Sequence, residues 1–324
     1  MKLGVKRECV ATAALLCVVA MPLRAQQDYP TRPLRIVTGF PAGGNTDIIA
    51  RAMAQKLTER LGQQVIVENR PGAGSMIGTD YVAKATPDGY TLLLVSGAVT
   101  TQAAVMKKLP FDAVRDFAFI SNAVSYPFAV IVKPDAAMQN INDLIAVAKK
   151  SPGKLNYASV GIGSVLHLAV ELFSATANVE MTHIPYKGGA EPMLELMSGR
   201  IDVVFDTLTG AYPYVQAGKI RALAVTSLER SQQLPHVPTV AQTLPGYEVT
   251  SFSGFAAPRG TPPERIARLN REMRAALEQA DIRKRFTDLG GTVISTTPEE
   301  FGRHVASEIA KWKKIASAKK IEIQ

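Results

Sequence analysis

From Leu34 to Ala256, short β-branched runs alternate with segments of helical periodicity, and strand-like runs end in loops of glycine or other small residues. This alternation is the signature of βαβ units around mostly parallel sheets, which sets the fold class as α/β. Leu34 to Thr38 reads as a first strand, and Thr46 to Arg60 as an amphipathic helix with Ile48, Ile49, Met53 and Leu57 at helical spacing. Val65 to Glu68 follows as a strand, Ile77 to Lys84 as a helix, and Thr91 to Val95 as a third strand ending on Ser96 and Gly97. After Pro127 the rhythm restarts with strand Ala129 to Val132, helix Ile141 to Lys150, a strand near Tyr157, helix Val165 to Ala177, a strand near His183 and helix Glu191 to Ser198. Val203 to Phe205 and Ala222 to Thr226 complete a second sheet, with Gly218 as the cap after a helix from Tyr212 to Ala217.

Two lobes of similar size are implied, residues 26–124 with 252–324 and residues 125–251. In the absence of a long Ser/Gly linker, two strands crossing near Ser125 and Ser251 join them and make a hinge. From Pro263 onward the pattern turns helical, with Ile266, Leu269, Met273 and Leu277, then Phe301, Ile309 and Trp312, and the first lobe is the expected support for these helices.

Residues 1–25 read as an export signal: Lys2, Lys6 and Arg7 precede an apolar run from Val10 to Ala20 and a small-residue cleavage site near Ala25. The rival reading, a lipid anchor at Cys17, lacks the small residue expected just before it, since Ala14, Leu15 and Leu16 stand there. Cys9 and Cys17 both fall in the leader, so the mature chain is expected to carry no thiol, disulfide or cysteine metal ligand. No later stretch reaches the roughly 18 apolar residues of a spanning helix. The formal charge of +9 falls to about +6 once Lys2, Lys6, Arg7, Arg24 and Glu8 leave with the leader, a balance that favours acidic ligands. Nucleic acid fits poorly, because the basic residues are scattered or lie on polar helix faces without interleaved aromatics.

Three loops carry the chemistry. Phe40-Pro41-Ala42-Gly43-Gly44-Asn45-Thr46-Asp47 sets a Gly-rich turn between a strand and a helix N-terminus, with Asn45 or Thr46 as its cap. Unpaired N–H groups and the positive end of the helix dipole there suit a carboxylate or phosphate, while an ordinary turn using glycine for its φ freedom has the same sequence. Val160-Gly161-Ile162-Gly163-Ser164 repeats the device in the second half, where Ser164 either caps its helix or donates to a ligand. His167, one turn further in, is a packed or helix-surface histidine in one reading and a proton-transfer group in the other. Tyr186-Lys187-Gly188-Gly189-Ala190 is a third such turn, with Lys187 either attracting an anion or facing solvent. Asp206 ends an apolar strand, where its carboxylate binds a ligand ammonium or hydroxyl or simply caps the next segment.

Other chemistries are excluded by spacing. Gly72-Ala73-Gly74-Ser75 with Gly78 puts the third glycine one residue late for a dinucleotide fingerprint. There is no G-x-S-x-G elbow, and the four histidines make no pair at i, i+4. A hydrolase using Ser164 and His167 is a third-ranked reading that needs a nucleophile within reach of its base. No catalytic residue, metal or cofactor is therefore expected.

These loops resemble the Bug family, the extracytoplasmic solute receptors of tripartite tricarboxylate transporters. The match includes Pro41-Ala42-Gly43-Gly44 with Asp47, Val67-Glu68-Asn69-Arg70-Pro71-Gly72-Ala73-Gly74, Pro87-Asp88-Gly89-Tyr90-Thr91-Leu92 and Ser151-Pro152-Gly153-Lys154-Leu155-Asn156-Tyr157. It continues through His183-Ile184-Pro185-Tyr186-Lys187-Gly188, Gly218-Lys219-Ile220-Arg221-Ala222-Leu223-Ala224, Pro235-His236-Val237-Pro238-Thr239 and Ala257-Pro258-Arg259-Gly260-Thr261-Pro262. The resemblance implies a periplasmic binding protein of the Venus-flytrap kind, acting as a monomer without catalysis. Its ligand would be a small carboxylate and its partners the permease subunits of a tripartite tricarboxylate transporter. Carried over by position, the expected ligand contacts are Phe40, Ala42, Gly43, Asp47, Ser96 and Gly97 from the first lobe, and Gly161, Gly163, Ser164, Lys187, Gly188, Ala190 and Asp206 from the second. One departure stands out: where the family often has Trp in the returning strand, this chain has Ser253 before Gly254, a change expected to enlarge or rewire the hinge side of the cleft. The alternative function is an exported accessory that binds its ligand and docks on a sensor kinase to regulate uptake genes.

Overall fold

The computed structural model describes Met1, residues 29–188 and residues 190–321. The expected leader, with its cleavage site near Ala25 and both cysteines, and Gly189 lie outside the described residues.

The first half alternates as its sequence pattern demands: β1 (Leu34–Thr38), α1 (Asn45–Leu61), β2 (Val65–Asn69), α2 (Met76–Ala83), β3 (Thr91–Ser96) and α3 (Gly97–Val105). β1 pairs in parallel with β2 and with β3. Every residue of β3, Thr-Leu-Leu-Leu-Val-Ser, is buried, as an uninterrupted apolar strand with helices on both faces must be. The second half repeats the scheme with β4 (Phe117–Val132), α4 (Ile141–Lys150), β5 (Asn156–Ser159), α5 (Val165–Ala177), β6 (Thr182–Pro185), α6 (Glu191–Ser198), β7 (Val203–Thr207), α7 (Leu208–Gln216) and β8 (Arg221–Val225). Here β5 pairs in parallel with β6 and β7. The parallel character thus holds for the three-stranded core of each lobe, and the strands that cross between lobes enter antiparallel.

β4 is the spine. Residues Phe117 to Pro127 pair with β9 (Thr250–Pro258) in the first sheet, and Phe128 to Val132 pair with β7 and β8 in the second. Ser125 lies opposite Phe252 and Tyr126 opposite Ser251, so the two crossings read from the sequence run side by side. Register shifts at Phe119/Ser121 and Asn122/Val124 bulge the spine on the first-lobe side, which increases its local twist. Thr226 pins the return path: its hydroxyl donates to the Val249 carbonyl at 2.6 Å, and the Val249 N–H donates back to the Thr226 carbonyl at 3.0 Å.

The C-terminal helices α8 (Pro263–Leu277), α9 (Ala280–Asp288) and α10 (Pro298–Lys319) follow, with the two-residue strand β10 (Thr292–Val293) laid on β4. Ile266, Leu269, Met273 and Leu277 of α8 are buried against α1 and β4. α10 opens with a capping box between Thr297 and Glu300 and buries Phe301, Val305 and Trp312. It packs on α3 and β4, as expected, and also reaches α5 of the second lobe. Gly254 is what lets Phe301 approach the sheet, since a Cβ there would stand 2.4 Å from the Phe301 ring. No helix among the described residues is long and apolar enough to cross a membrane.

Candidate functional site

Four strands, β1, β3, β5 and β7, lead at their C-terminal ends into helices α1, α3, α5 and α7. The four N-cap residues, Gly44, Ser96, Ser164 and Thr207, all line one cavity of about 80 Å³. Ligands of open α/β sheets bind at the carboxyl ends of strands, and here two such ends come from each lobe. A volume on this measure holds roughly five waters, at about 10–15 Å³ each, so the space suits a small organic molecule.

The first-lobe and second-lobe helix starts differ. α1 and α3 begin with no side-chain cap, which leaves their first amide N–H groups, and the positive ends of their dipoles, directed at the cavity. In α5 the Ser164 hydroxyl accepts from the His167 N–H at 3.3 Å, and in α7 the Thr207 hydroxyl accepts from the Gly210 N–H at 3.1 Å. Asn45, the first residue of α1, leaves both its amide nitrogen and its amide oxygen unpaired; it approaches the Tyr126 hydroxyl without reaching hydrogen-bond geometry. Phe40, Tyr126, Phe128, Val160 and Val165 supply the apolar wall. No Lys, Arg or His is among the lining residues, and Asp206 is the one carboxylate. Burial pushes the Asp206 pKa up to about 6, against the pull of the Thr207 N–H at 2.6 Å and hydroxyl at 3.4 Å.

Of the residues expected at the ligand, Phe40, Ser96, Gly97, Ser164 and Asp206 line the cavity. Ala42 and Gly43 are exposed on the turn outside it. Asp47 turns away into the protein, where its carboxylate accepts from the Gly43 N–H (3.0 Å), Arg51 Nε (2.9 Å) and Asn69 Nδ2 (3.0 Å). Burial would raise its pKa, but these donors, Arg51 foremost, hold it below the ordinary carboxylate value. Asn69 also donates to the Phe40 carbonyl at 3.0 Å, so Asp47 and Asn69 together fix the shape of the turn. Neither Asn45 nor Thr46 caps α1; Gly44 holds that position, and Thr46 Oγ1 accepts instead from Thr38 Oγ1 at 3.2 Å. Lys187 and Ala190 are exposed and outside the wall.

Gly161, Gly163 and Gly188 mark where the lobes touch. All three have positive φ, and a Cβ on Gly161 would lie 2.9 Å from Gly74 Cα of the opposite lobe, one on Gly188 3.3 Å from Phe40. The Thr101 hydroxyl of α3 donates across the gap to the Gly163 carbonyl at 2.7 Å. Gly97, at the start of α3, leaves no room for a side chain either: its Cβ would meet Ser251 Oγ at 2.4 Å and Val165 Cγ2 at 2.7 Å. The Gly72–Ser75 segment, whose spacing ruled out a nucleotide, is the first-lobe half of this seam, held by Gln102 Nε2 donating to the Ala73 and Gly74 carbonyls at 2.9 Å each.

Behind the second-lobe loop sits a stacked trio. The His167 and His183 rings lie 4.0 Å apart and Tyr157 stacks on His183 at 4.9 Å. His167 Nδ1 accepts from the Gly163 N–H at 3.2 Å, and His183 Nε2 bonds the Ser159 hydroxyl at 2.6 Å. Tyr157 donates to Glu171 at 2.5 Å, whose carboxylate is 3.8 Å from His167 Nε2. Burial pushes both histidines down to about 4. His167 is therefore a packed, neutral support for the loop. The Ser253 hydroxyl is buried and lies 3.2 Å from that of Tyr126, which lines the cavity.

The expected contacts left out Gly44, Asn45, Thr46, Ala98, Tyr126, Phe128, Val160, Val165, Thr207 and Ser251, which also line the cavity. For Thr207 and Ala98 a signal existed, since Thr207 ends β7 just before α7 and Ala98 lies in the first turn of α3, directly after β3.

A family model described as the tripartite tricarboxylate transporter family receptor matches residues 49–321. Protein BugT of Bordetella pertussis is 34% identical over 306 residues, covering 94% of this chain and 92% of BugT. Two solved structures superpose closely. A protein from R. palustris solved with adipate is 35% identical with a TM-score of 0.88, covering 91% of this chain and 99% of that one. MatC from Rhodopseudomonas palustris with bound malate is 31% identical with a TM-score of 0.85, covering 89% and 99%.

Proposed function

We propose that this chain, which belongs to the tripartite tricarboxylate transporter receptor family that includes the Bug proteins, captures a small carboxylate in the periplasm and delivers it to a membrane permease. The family is one of solute-binding receptors, so the site binds rather than transforms. The observation that carries the carboxylate reading is the meeting of two uncapped helix N-termini on a cavity walled without a single cationic side chain. Such a site holds an anion with backbone N–H groups and helix dipoles alone. The adipate and malate in the two related structures agree with it.

In this reading the amides at the starts of α1 and α3, near Asn45, Ser96 and Gly97, take the carboxylate, and Ser164 and Asp206 meet the ligand from the other side. Asp47, Gly43, Gly161, Gly163 and Gly188 shape the loops, and Ala42, Lys187 and Ala190 make no contact in the closed cleft. Residues 26–124 with 252–324 form one lobe and 125–251 the other, hinged where β4 and β9 run together. Ligand binding shifts the population toward closure.

Thermal denaturation of the purified chain against a panel of mono-, di- and tricarboxylates tests this. A ligand at a hundred times its Kd adds about 2.7 kcal/mol to stability, a readily measured rise in Tm. If no carboxylate raises Tm, the reading fails.

A further inference from the structure

The cavity is polarised. Its first-lobe wall presents the uncapped starts of α1 and α3, together with the Asn45 amide, whose nitrogen and oxygen are both unpaired. Its second-lobe wall presents the cavity's one carboxylate, Asp206. Holding the next segment occupies only one oxygen of Asp206, because the N-cap of α7 is Thr207, which accepts from the Gly210 N–H at 3.1 Å. Asp206 Oδ1 accepts from Thr207, while Oδ2 takes no hydrogen bond from the described residues. A partly buried carboxylate with no cation in the same wall is best satisfied by a donor, and a second carboxylate placed against it is repelled.

We propose that Asp206 selects ligands that carry a hydroxyl or ammonium group beside their carboxylate, so that this receptor takes a hydroxy acid or an amino acid in preference to an unsubstituted acid. This rests on the carboxylate reading above and sharpens it. The ligand lies with its carboxylate on the first-lobe amides and its donor on Asp206 Oδ2, spanning the gap between lobes. Closure then joins the helix-start amides of the first lobe to the Asp206 carboxylate of the second through one molecule. The raised pKa of Asp206, about 6, still leaves it ionised at pH 8.

Isothermal titration of the full chain at pH 8 with three matched sets decides it: propionate, lactate and alanine; succinate, malate and aspartate; glutarate, 2-hydroxyglutarate and glutamate. In at least one set a substituted member is expected to bind tenfold or more tighter than its unsubstituted parent, the scale of a charged acceptor left unpaired. Asp206→Asn and Asp206→Ser, each checked for folding by circular dichroism, are expected to shrink that ratio to threefold or less. Parents that bind as tightly as their substituted partners overturn the proposal, as does a ratio that survives in a folded variant. Should neither variant fold, the wild-type ranking decides alone. Carboxylates that bind without ranking sink only this inference, whereas a chain that binds none of them sinks the function and the inference together.

Discussion

Asp206 and His167 titrate in one pH window with opposite signs. Burial lowers the folded pKa of His167 to about 4, so below the ordinary value of 6.5 the unfolded chain takes up its proton first. The stability that depends on its neutral form is full above pH 6.5 and is lost as pH falls toward 4, by ~3 kcal/mol. His183 acts in the same direction. For Asp206 the folded pKa is raised to about 6, so the folded chain takes up the proton first and stability rises as pH falls from 6 toward 4. Calorimetric Tm profiles from pH 8 to 4 check both. Asp206→Asn is expected to be more stable than the parent at pH 7.5, with the difference vanishing near pH 4. His167→Gln is expected to flatten the acid limb, and an unchanged limb refutes the role given to His167. At this scale the sequence was half legible. It placed Asp47 and Asp206 alike beside a ligand, yet one carboxylate is consumed by Gly43, Arg51 and Asn69 and the other faces the cavity. Both stand near the C-terminal end of an apolar strand's βα unit, Asp206 within β7 and Asp47 in the first turn of α1, and only the neighbours brought by folding separate them.

Among elements, those with a one-sided apolar stripe were legible almost to the residue, as α1, α4 and α8 show. α3 was not, because its first six residues are all buried and leave no polar face to set a period. α7 was read only from Tyr212 because Pro213 interrupts its pattern, although the helix runs from Leu208. β4 was read only from Ala129, since its bulges and the polar Ser121, Asn122 and Ser125 break the two-residue alternation that marks a strand. These are the elements that build the hinge and half the cavity. Gly97→Ala is expected to push α3 off Ser251 and Val165 and to weaken ligand affinity at least tenfold by titration while the fold persists. Gly254→Ala, by contrast, forces Phe301 out of its seat and is expected to cost about 1–3 kcal/mol in urea denaturation without touching the ligand.

For the molecule as a whole, the two-lobed α/β plan was legible from the restart of the strand–helix rhythm after Pro127, and β4 and β9 are paired where Ser125 and Ser251 lie. The reach of α10 onto α5 was not, because nothing in a helical stripe says how many neighbours it serves. Motion is confined by this design. The lobes share β4, are bridged by α10, and meet at a seam where Gly161 faces Gly74 with backbone against backbone. Gly161→Val adds a side chain to that seam, so it is expected to hold the lobes apart: small-angle scattering should show a larger radius of gyration with saturating carboxylate than the parent shows, and an identical compaction would refute the seam as the closing surface.

In the function proposed, the grip on the anion is made of main chain at the starts of α1 and α3, and main chain is supplied by every codon. Point mutation can therefore exchange Phe40, Asn45, Phe128 or Asp206 without erasing the ability to hold a carboxylate. A duplicated copy of such a gene keeps a working receptor while its appetite drifts, which makes this scaffold an inexpensive starting material for a large repertoire of nutrient scavengers.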